Sequence, residues 1–143
     1  MTIHQISVFL ENRAGQLAEI AAVLAERNIN LRAIHIAETS DYGVLRMIVD
    51  RSQEAASVLL EHGFILSMTP VLAVVVPDEP GALARVLGVL AKEQIDVEYM
   101  YSVFGLVSDR ACMIFRVADV DRLSAVLTAN HMTPVAGDVL GIH

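Results

Sequence analysis

The feature that most constrains the fold is a short turn that occurs twice, each time followed by a helix-forming stretch. The first copy is Glu11–Leu17 and the second is Pro77–Leu83, and each follows an apolar run. Aligning Gly15 with Gly81, an offset of 66 residues, gives 7 identities in the 17 positions from Gly15 to Leu31. So many identities at one fixed offset indicate an internal duplication.

The residue pattern within each copy predicts the element order β-α-β-β-α-β. In the first copy the apolar and β-branched run Ile3–Leu10 predicts a strand, and Leu17–Glu26 carries apolar residues at helical spacing. Two strands, a second helix and a closing strand follow in both copies. This order is typical of an antiparallel four-stranded sheet with both helices on one face. We therefore predict an α+β fold made of two ferredoxin-like units.

The duplication also predicts the domain boundaries. We expect one unit at residues 1–69, a second at residues 70–136, and a C-terminal tail at residues 137–143 to which no structure is assigned. Three strands are predicted near these boundaries: Phe64–Met68, Val71–Val76 and Met132–Val135.

The strand Gly43–Asp50 predicts how the units associate. Alternation along it places Leu45, Met47 and Val49 toward the helices. The opposite face of the sheet is half apolar, because it receives Val44, Arg46, Ile48 and Asp50 in one unit and Arg110, Cys112, Ile114 and Arg116 in the other. An open sheet surface is usually more polar. We therefore expect another sheet or another chain to cover this face, and predict side-by-side units within the chain and a homodimer.

Composition and charge argue against several kinds of partner. The formal net charge is −7 at pH 7 with no basic stripe, which disfavours nucleic acid and anionic membrane. No apolar stretch approaches the roughly 18 residues of a membrane span, and no leader pattern follows Met1, so we expect a soluble cytoplasmic protein. Cys112 is the single cysteine and has apolar neighbours, which predicts a buried thiol.

The sequence lacks the usual signatures of a catalytic or metal site. The histidines form no i,i+3 or i,i+4 pair, so no metal site is predicted. The serines have no nucleophile elbow, and neither a phosphate-binding loop nor a dinucleotide fingerprint is present. We therefore predict no catalytic residues and no cofactor, and interpret the chain as a non-enzyme.

The repeat resembles the ACT domain, a small-molecule-sensing module attached to many enzymes of amino-acid metabolism. One motif is the signature Pro-Gly-x-Leu, complete at Pro80–Leu83 and reduced to Ala14–Leu17 in the first unit. The other is the pair after the helix, Asn30-Leu31 and Asp96-Val97. Together with the element order, the resemblance covers nearly the whole chain and implies a tandem ACT fold.

Within that family the chain is most similar to the serine-sensing regulatory domain of phosphoglycerate dehydrogenase. That domain has a His-x-Asn-x-Pro-Gly turn and an Asn fifteen residues beyond the glycine. Asn12, Gly15 and Asn30 match these positions, whereas Leu10 and Ala14 replace the His and the Pro. In the second unit Val76 stands at the His position, and Asp78 and Asp96 stand at the two Asn positions. The resemblance implies an amino-acid ligand without implying serine.

The turn offers the groups that an amino-acid zwitterion requires. Backbone N–H groups at a helix N-terminus donate to a carboxylate, and the helix dipole favours the anion. The glycine of each turn allows close backbone approach, while Asn12 and Asp78 provide acceptors for the ammonium. Across an interface between units, we expect one site to pair Asn12 with Asp96 and the other to pair Asp78 with Asn30.

The predicted ligand-binding residues follow from this scheme. They are Asn12, Arg13, Ala14, Gly15, Gln16, Leu17 and Asn30 in the first unit, and Asp78, Glu79, Pro80, Gly81, Ala82, Leu83 and Asp96 in the second. A purely structural role stays open for the same positions, because Asn, Asp and Gly also turn chains and cap helices without a ligand.

The leading interpretation is a free-standing tandem ACT protein that binds a free amino acid at the interface between ACT units. It would regulate a separate enzyme or regulator of amino-acid metabolism, through different affinities of the ligand for two packings. One alternative is a small hydrolase of the acylphosphatase type, for which Arg13 beside Asn12 is a weak indication; another is a purely protein-interaction module. The −7 charge and the 5% aromatic content disfavour a sheet that binds RNA.

Overall fold

The computed structural model describes residues 2–11, 13–38, 42–103, 109–132 and 134–142. The chain divides into two compact units. The N-terminal unit comprises His4–Thr69 with the residues after Leu140, and the C-terminal unit comprises Pro70–Leu140 with the residues before His4. Each unit contains a hydrophobic core of its own.

The N-terminal unit has the predicted β-α-β-β-α-β order. Its elements are β1 (Ile3–Glu11), α1 (Gln16–Glu26), β2 (Leu31–Glu38), β3 (Tyr42–Val49), α2 (Ser52–Glu61) and the first part of β4 (Ile65–Pro77). The strands follow the spatial order β2-β3-β1-β4, and β3 pairs antiparallel with both β1 and β2. The ferredoxin-like arrangement is therefore confirmed.

The C-terminal unit repeats this order up to its last strand. Its elements are the second part of β4, α3 (Ala82–Lys92), β5 (Tyr99–Val103), β6 (Arg110–Arg116), α4 (Val120–Ala129) and a 3-10 helix (Gly137–Leu140). Its strands follow the order β4-β6-β5, and both neighbouring pairs are antiparallel. The 3-10 helix lies in the tail for which the sequence predicted no structure.

β4 is one continuous strand where the sequence predicted two, at Phe64–Met68 and Val71–Val76. It runs over Ile65–Pro77 and passes through Pro70. Proline has no N–H to donate to a ladder, but its fixed φ is compatible with an extended chain. Pro70 therefore removes one donor without ending the strand, so the prediction of a break at this point was wrong.

Of the closing strand predicted at Met132–Val135, the structure shows one bridge, and Thr133 lies outside the described residues. A single bridge joins Val74 and Pro134, and the Val135 N–H donates to the carbonyl of Ala73 at 2.8 Å. Because the donor to β4 is the Val135 N–H, the missing N–H of Pro134 is not one that this bridge uses.

All four helices end in the same motif. At each C-terminus a residue with positive φ precedes an apolar residue, whose N–H donates to the carbonyl five residues earlier at 2.8 to 3.1 Å. The residues with positive φ are Asn28, Gly63, Gln94 and His131, and the apolar residues are Ile29, Phe64, Ile95 and Met132. This Schellman arrangement satisfies carbonyls that the helix leaves free. In α1 the residue with positive φ is Asn28, two positions after Glu26.

The face of β3 that was predicted to meet the helices does so. Leu45, Met47 and Val49 belong to the N-terminal core, together with α1 and α2 residues such as Leu24 and Leu59. Every second residue of the strand is thus used for packing, as its pleat requires. This core positions the N-terminal ends of the helices relative to the strands that lead into them.

Three apolar residues on the half-apolar face of the sheets are not open to solvent. Ile48 and Ile114 are 0% exposed and Cys112 is 2% exposed. The chain itself buries these side chains, so their burial gives no argument for a second chain. Burial also raises the pKa of the Cys112 thiol to about 11, which keeps it neutral near pH 7 and agrees with the predicted buried thiol.

Within the described residues, no helix combines the length and the apolar character that crossing a membrane requires. The cytoplasmic location stays a prediction.

Candidate ligand-binding turns

The first turn joins β1 to α1 through a left-handed glycine. Gly15 has φ 87° and ψ −9° and is the N-cap of α1. A Cβ at Gly15 would meet no atom within 4 Å, so the position requires glycine for its backbone angle and not for space. Before it, the Arg13 N–H donates to the carbonyl of Glu11 at 2.8 Å. Asn12, a predicted ligand-binding residue, lies outside the described residues.

The second turn repeats this backbone between β4 and α3. Gly81 has φ 88° and ψ −11° and is the N-cap of α3. The Asp78 N–H donates to the carbonyl of Asp109 at 2.9 Å, and the Ala82 N–H donates to that of Glu79 at 3.3 Å. The near-identical angles of the two glycines show that the duplication preserved the conformation as well as the sequence.

Most of the predicted turn residues are accessible. Arg13, Ala14, Gly15, Leu17, Asp78, Glu79, Pro80 and Gly81 are exposed, Leu83 is half-buried, and Gln16 and Ala82 are buried. Since the N-cap of each helix is a glycine, no N-cap side chain accepts a hydrogen bond from the first turn of the helix. Both helix N-termini therefore keep donors for an anion.

The charged side chains at the turns pair with one another. The Arg13 guanidinium is 3.4 Å from the Glu11 carboxylate and 3.5 Å from that of Glu19, and all three groups are largely exposed. In the second turn Arg85 is 2.9 Å from Glu79. Exposed pairs of this kind contribute little stability. Because Arg13 has two carboxylate partners, the structure gives no support to a phosphate cradle of the acylphosphatase type.

The predicted residues beyond the helices lie far from the turn of their own unit. α1 and α3 each have 11 residues, so each spans about 16 Å at the rise of an α-helix. Asn30 follows the far end of α1, and Asp96 follows the far end of α3. Asn30 therefore lies far from the turn at Gly15, and Asp96 lies far from the turn at Gly81.

Asn30 and Asp96 have different surroundings. The Asn30 N–H donates to the Asp50 carboxylate at 3.0 Å, and the Asp50 N–H donates to the Asn30 carbonyl at 3.1 Å. This reciprocal pair gives the Asn30 backbone a structural role. Asp96 is exposed and lines a cleft of about 170 Å³ together with Asp119 and Arg122.

Sequence analysis missed two arginines that close the ends of α1 and α3. The Arg51 guanidinium donates to the carbonyls of Arg27 and Asn28, both at 2.7 Å, and binds Glu54 at 2.6 Å. In the C-terminal unit Arg122 donates to the carbonyl of Glu93. The donors and acceptors lie 23 to 29 residues apart in the chain, so no local pattern identifies these contacts.

A cleft lies beside each turn, and the two clefts correspond. The cleft of the N-terminal unit, about 320 Å³, is lined by Phe9, Leu10, Glu11 and Gln16, and by residues such as Phe64 in the segment that joins α2 to β4. The cleft of the C-terminal unit, about 330 Å³, is lined by the residues 66 positions later, Val75, Val76, Pro77 and Ala82, and by Met132. No local pattern predicts these clefts, because part of their lining comes from the residues that follow the second helix of each unit.

Comparison with known proteins agrees with this architecture. A family model described as an ACT domain pair matches residues 1–141. The crystal structure of protein BT0572 from Bacteroides thetaiotaomicron is 39% identical with a TM-score of 0.92, over 99% of this chain and 96% of that one. The ligand-free regulatory subunit of aspartate kinase from Thermus thermophilus is 21% identical with a TM-score of 0.67, over 90% of each chain.

A more distant similarity involves part of a larger enzyme. E. coli aspartokinase III, solved in complex with lysine and aspartate, is 17% identical with a TM-score of 0.54, over 91% of this chain and 31% of that one. Identities this low show a shared fold alone. No curated protein sequence matches the chain significantly.

The family match spans both units, and the structure shows the β-α-β-β-α-β order in the N-terminal unit and the same order up to the closing strand in the C-terminal unit. Tandem ACT domains are regulatory and not catalytic modules. The predicted resemblance is therefore confirmed: this chain belongs to the ACT domain family, as a pair of ACT domains.

Proposed function

We propose that this chain is a non-catalytic sensor that binds a free amino acid at its duplicated turn and regulates a separate enzyme or regulator of amino-acid metabolism. The observation that carries the proposal is the repeated turn, in which an exposed left-handed glycine leads into a helix N-terminus in both units. Such an N-terminus favours a carboxylate. The amide of Asn12 and the carboxylate of Asp78 are the acceptors that we assign to the ammonium.

Proteins of the same fold support this proposal. The Thermus thermophilus protein is a regulatory subunit of aspartate kinase, and the E. coli aspartokinase structure contains lysine and aspartate. On that basis we infer a regulatory role and an amino-acid ligand for this chain. That Asn30 or Asp96 of a neighbouring ACT unit completes each site stays a prediction.

Isothermal titration with a panel of the standard amino acids tests the proposal. We expect one amino acid to bind, and Asn12→Ala or Asp78→Ala to weaken its binding about tenfold or more, since each removes a charge-assisted hydrogen bond. Asp121→Ala is the matched control, because it removes an exposed first-turn carboxylate from α4. The absence of binding for every amino acid at millimolar concentration would refute the proposal.

We also propose a homodimer, supported by an apolar surface of the N-terminal unit. A groove of about 260 Å³ between α1 and β2 is lined by Leu17, Ile20, Leu31 and Ile34 among other apolar residues. Leu17 is 42% exposed and Ile34 43% exposed. β2 is also the terminal strand in the order β2-β3-β1-β4, and a terminal strand offers backbone groups to a second strand.

The oligomeric state tests this second proposal. Ile34→Lys places a charge in the groove, and we expect it to convert a dimer to a monomer in analytical ultracentrifugation. Leu60→Lys is the matched control, because Leu60 is a 57% exposed apolar residue on α2, and we expect that variant to stay dimeric. A wild-type chain that sediments as a monomer at high micromolar concentration would refute the homodimer.

A further inference from the structure

The cleft of the N-terminal unit contains a buried acceptor without a donor. Gln16, the first residue of α1, lines the cleft and is 6% exposed. Its side-chain oxygen Oε1 is shielded from solvent and accepts no hydrogen bond from any residue that the structure describes. Buried polar groups nearly always have a partner, because an unsatisfied one loses its hydration without compensation.

The rest of this cleft is mostly apolar, with the Tyr42 phenol and one acidic group. Phe9, Phe64 and Ile65 line its walls, and Phe9 and Ile65 expose 46% and 69% of their surface. Glu11 brings a carboxylate, while no basic side chain is among the residues found to line the cleft. The volume of about 320 Å³ is within the range of small-molecule pockets. This surface suits a molecule with an apolar body and a positively charged donor.

The corresponding cleft of the C-terminal unit has the opposite chemistry. Ala82 takes the place of Gln16, and Pro77 takes the place of Glu11. Arg85 and Arg110 line this second cleft. The duplication thus provides an internal comparison: the clefts share backbone position and volume, and they differ in the acceptor and in the sign of the charge.

We propose that the N-terminal cleft binds a small organic ammonium whose apolar part packs on Phe9 and Phe64 and whose N–H donates to Oε1 of Gln16. The terminal torsion of a glutamine amide has a broad energy profile, so the oxygen turns toward a donor in the cleft at little cost. Glu11 adds an attractive charge at the edge of the site. The inference goes beyond the proposed amino-acid sensor and does not depend on it, because a simple amine has no carboxylate for the helix N-termini.

Titration of the full chain with phenethylamine, and separately with phenylpropionate, tests the proposal. We expect the amine to bind, to bind at least about tenfold more tightly than the carboxylate, and to shift the backbone amide resonances of Gly63 and Phe64 in two-dimensional NMR spectra. Gln16→Leu should weaken amine binding about tenfold, as the loss of a charge-assisted hydrogen bond. Gln16→Glu should strengthen it. Gln53→Leu, on α2, is the matched control and should bind as the wild type does.

Three outcomes would overturn the inference: equal affinity for amine and carboxylate, unchanged amine binding in Gln16→Leu, or amine-induced shifts confined to the C-terminal unit. The amide resonance shifts are measured by NMR on the wild-type chain, so they remain informative if Gln16→Leu does not fold. Failure of this inference is distinguishable from failure of the proposed function, because an amino acid that binds through Asn12 or Asp78 leaves the sensor proposal intact when the amine does not bind.

Discussion

The left-handed glycine at the second turn makes a prediction in which one helix provides both the test and the control. Gly81 precedes α3 with φ 88°, whereas Gly88 lies within the same helix with an ordinary helical backbone. A Cβ built on Gly81 would approach only the Arg85 side chain, at 3.7 Å, and a Cβ on Gly88 would meet no atom within 4 Å. Neither Gly81→Ala nor Gly88→Ala therefore creates a steric clash, and the two substitutions differ in backbone conformation alone.

The magnitude follows from that difference. Both substitutions reduce the freedom of the unfolded chain, which by itself stabilises the folded state by about 0.4–1 kcal/mol. In Gly81→Ala this gain is offset by about 1–2 kcal/mol for an L-residue in the left-handed region. Gly88→Ala keeps the gain, since alanine is about 0.5–1 kcal/mol better than glycine inside a helix. The free energies of unfolding of the two variants should therefore differ by about 1–2 kcal/mol.

Urea titration followed by circular dichroism measures this difference. We expect a lower midpoint than the wild type for Gly81→Ala, a higher one for Gly88→Ala, and the same lowering for Gly15→Ala in the N-terminal unit. Gly81→Asn should lose less than Gly81→Ala, because Asn tolerates positive φ better than other L-residues. Two variants with indistinguishable midpoints would show that the left-handed turn is not strained for alanine, and the structural argument for glycine would fail.

Two further predictions concern the helix ends and the buried thiol. Arg51→Met should lower the free energy of unfolding by about 1–2 kcal/mol, because Arg51 donates to two carbonyls at the C-terminal end of α1. The control Arg27→Met removes an exposed 3.7 Å pair with Glu61 and should lower it by under about 0.5 kcal/mol. Equal losses in the two variants would contradict the role assigned to Arg51. Since burial raises the pKa of the Cys112 thiol from 9.0 to about 11, the unfolded chain releases this proton first as the pH rises. The contribution of Cys112 to the free energy of unfolding should stay constant below pH 9 and fall between pH 9 and about 11. The urea midpoints of Cys112→Ala should lack this part of the decline.

Local pattern predicted most of the fold because most of its determinants are local. The spacing of Leu17, Ile20 and Leu24 is a property of one helix, and Gly15 and Asn28 mark its two ends within the same segment. The differences between the predicted and the observed strands occur at two prolines. Separate strands were predicted before and after Pro70, which lies within one continuous strand, and of the strand predicted around Pro134 the structure shows a single bridge. The effect of a proline depends on whether a neighbouring strand requires its missing N–H, which local pattern does not contain.

The candidate site was less predictable, since its surroundings come from distant parts of the chain. Gln16 was selected only as a member of the turn, and no local pattern indicates that its side chain is buried. Phe64 and Tyr42 line the same cleft from positions 26 or more residues away. In the same way, no local pattern identifies the acceptors of Arg51 and Arg122, which are carbonyls at the ends of α1 and α3.

The duplication separates what the fold requires from what a ligand requires. Both units keep the features that main chain and packing depend on, namely the glycine before the first helix and the Schellman motif after each helix. They differ at side chains that line the clefts, where Gln16 corresponds to Ala82, Glu11 to Pro77 and Gly63 to His131. Main-chain donors at the two helix N-termini are alike, so they cannot distinguish one ligand from another. Selectivity between the two units must therefore come from side chains, namely Asn12 and Asp78 in the turns and the residues that line the clefts. For the clefts this means that exchanging Gln16 and Ala82 should transfer the preference for an amine while leaving the fold unchanged.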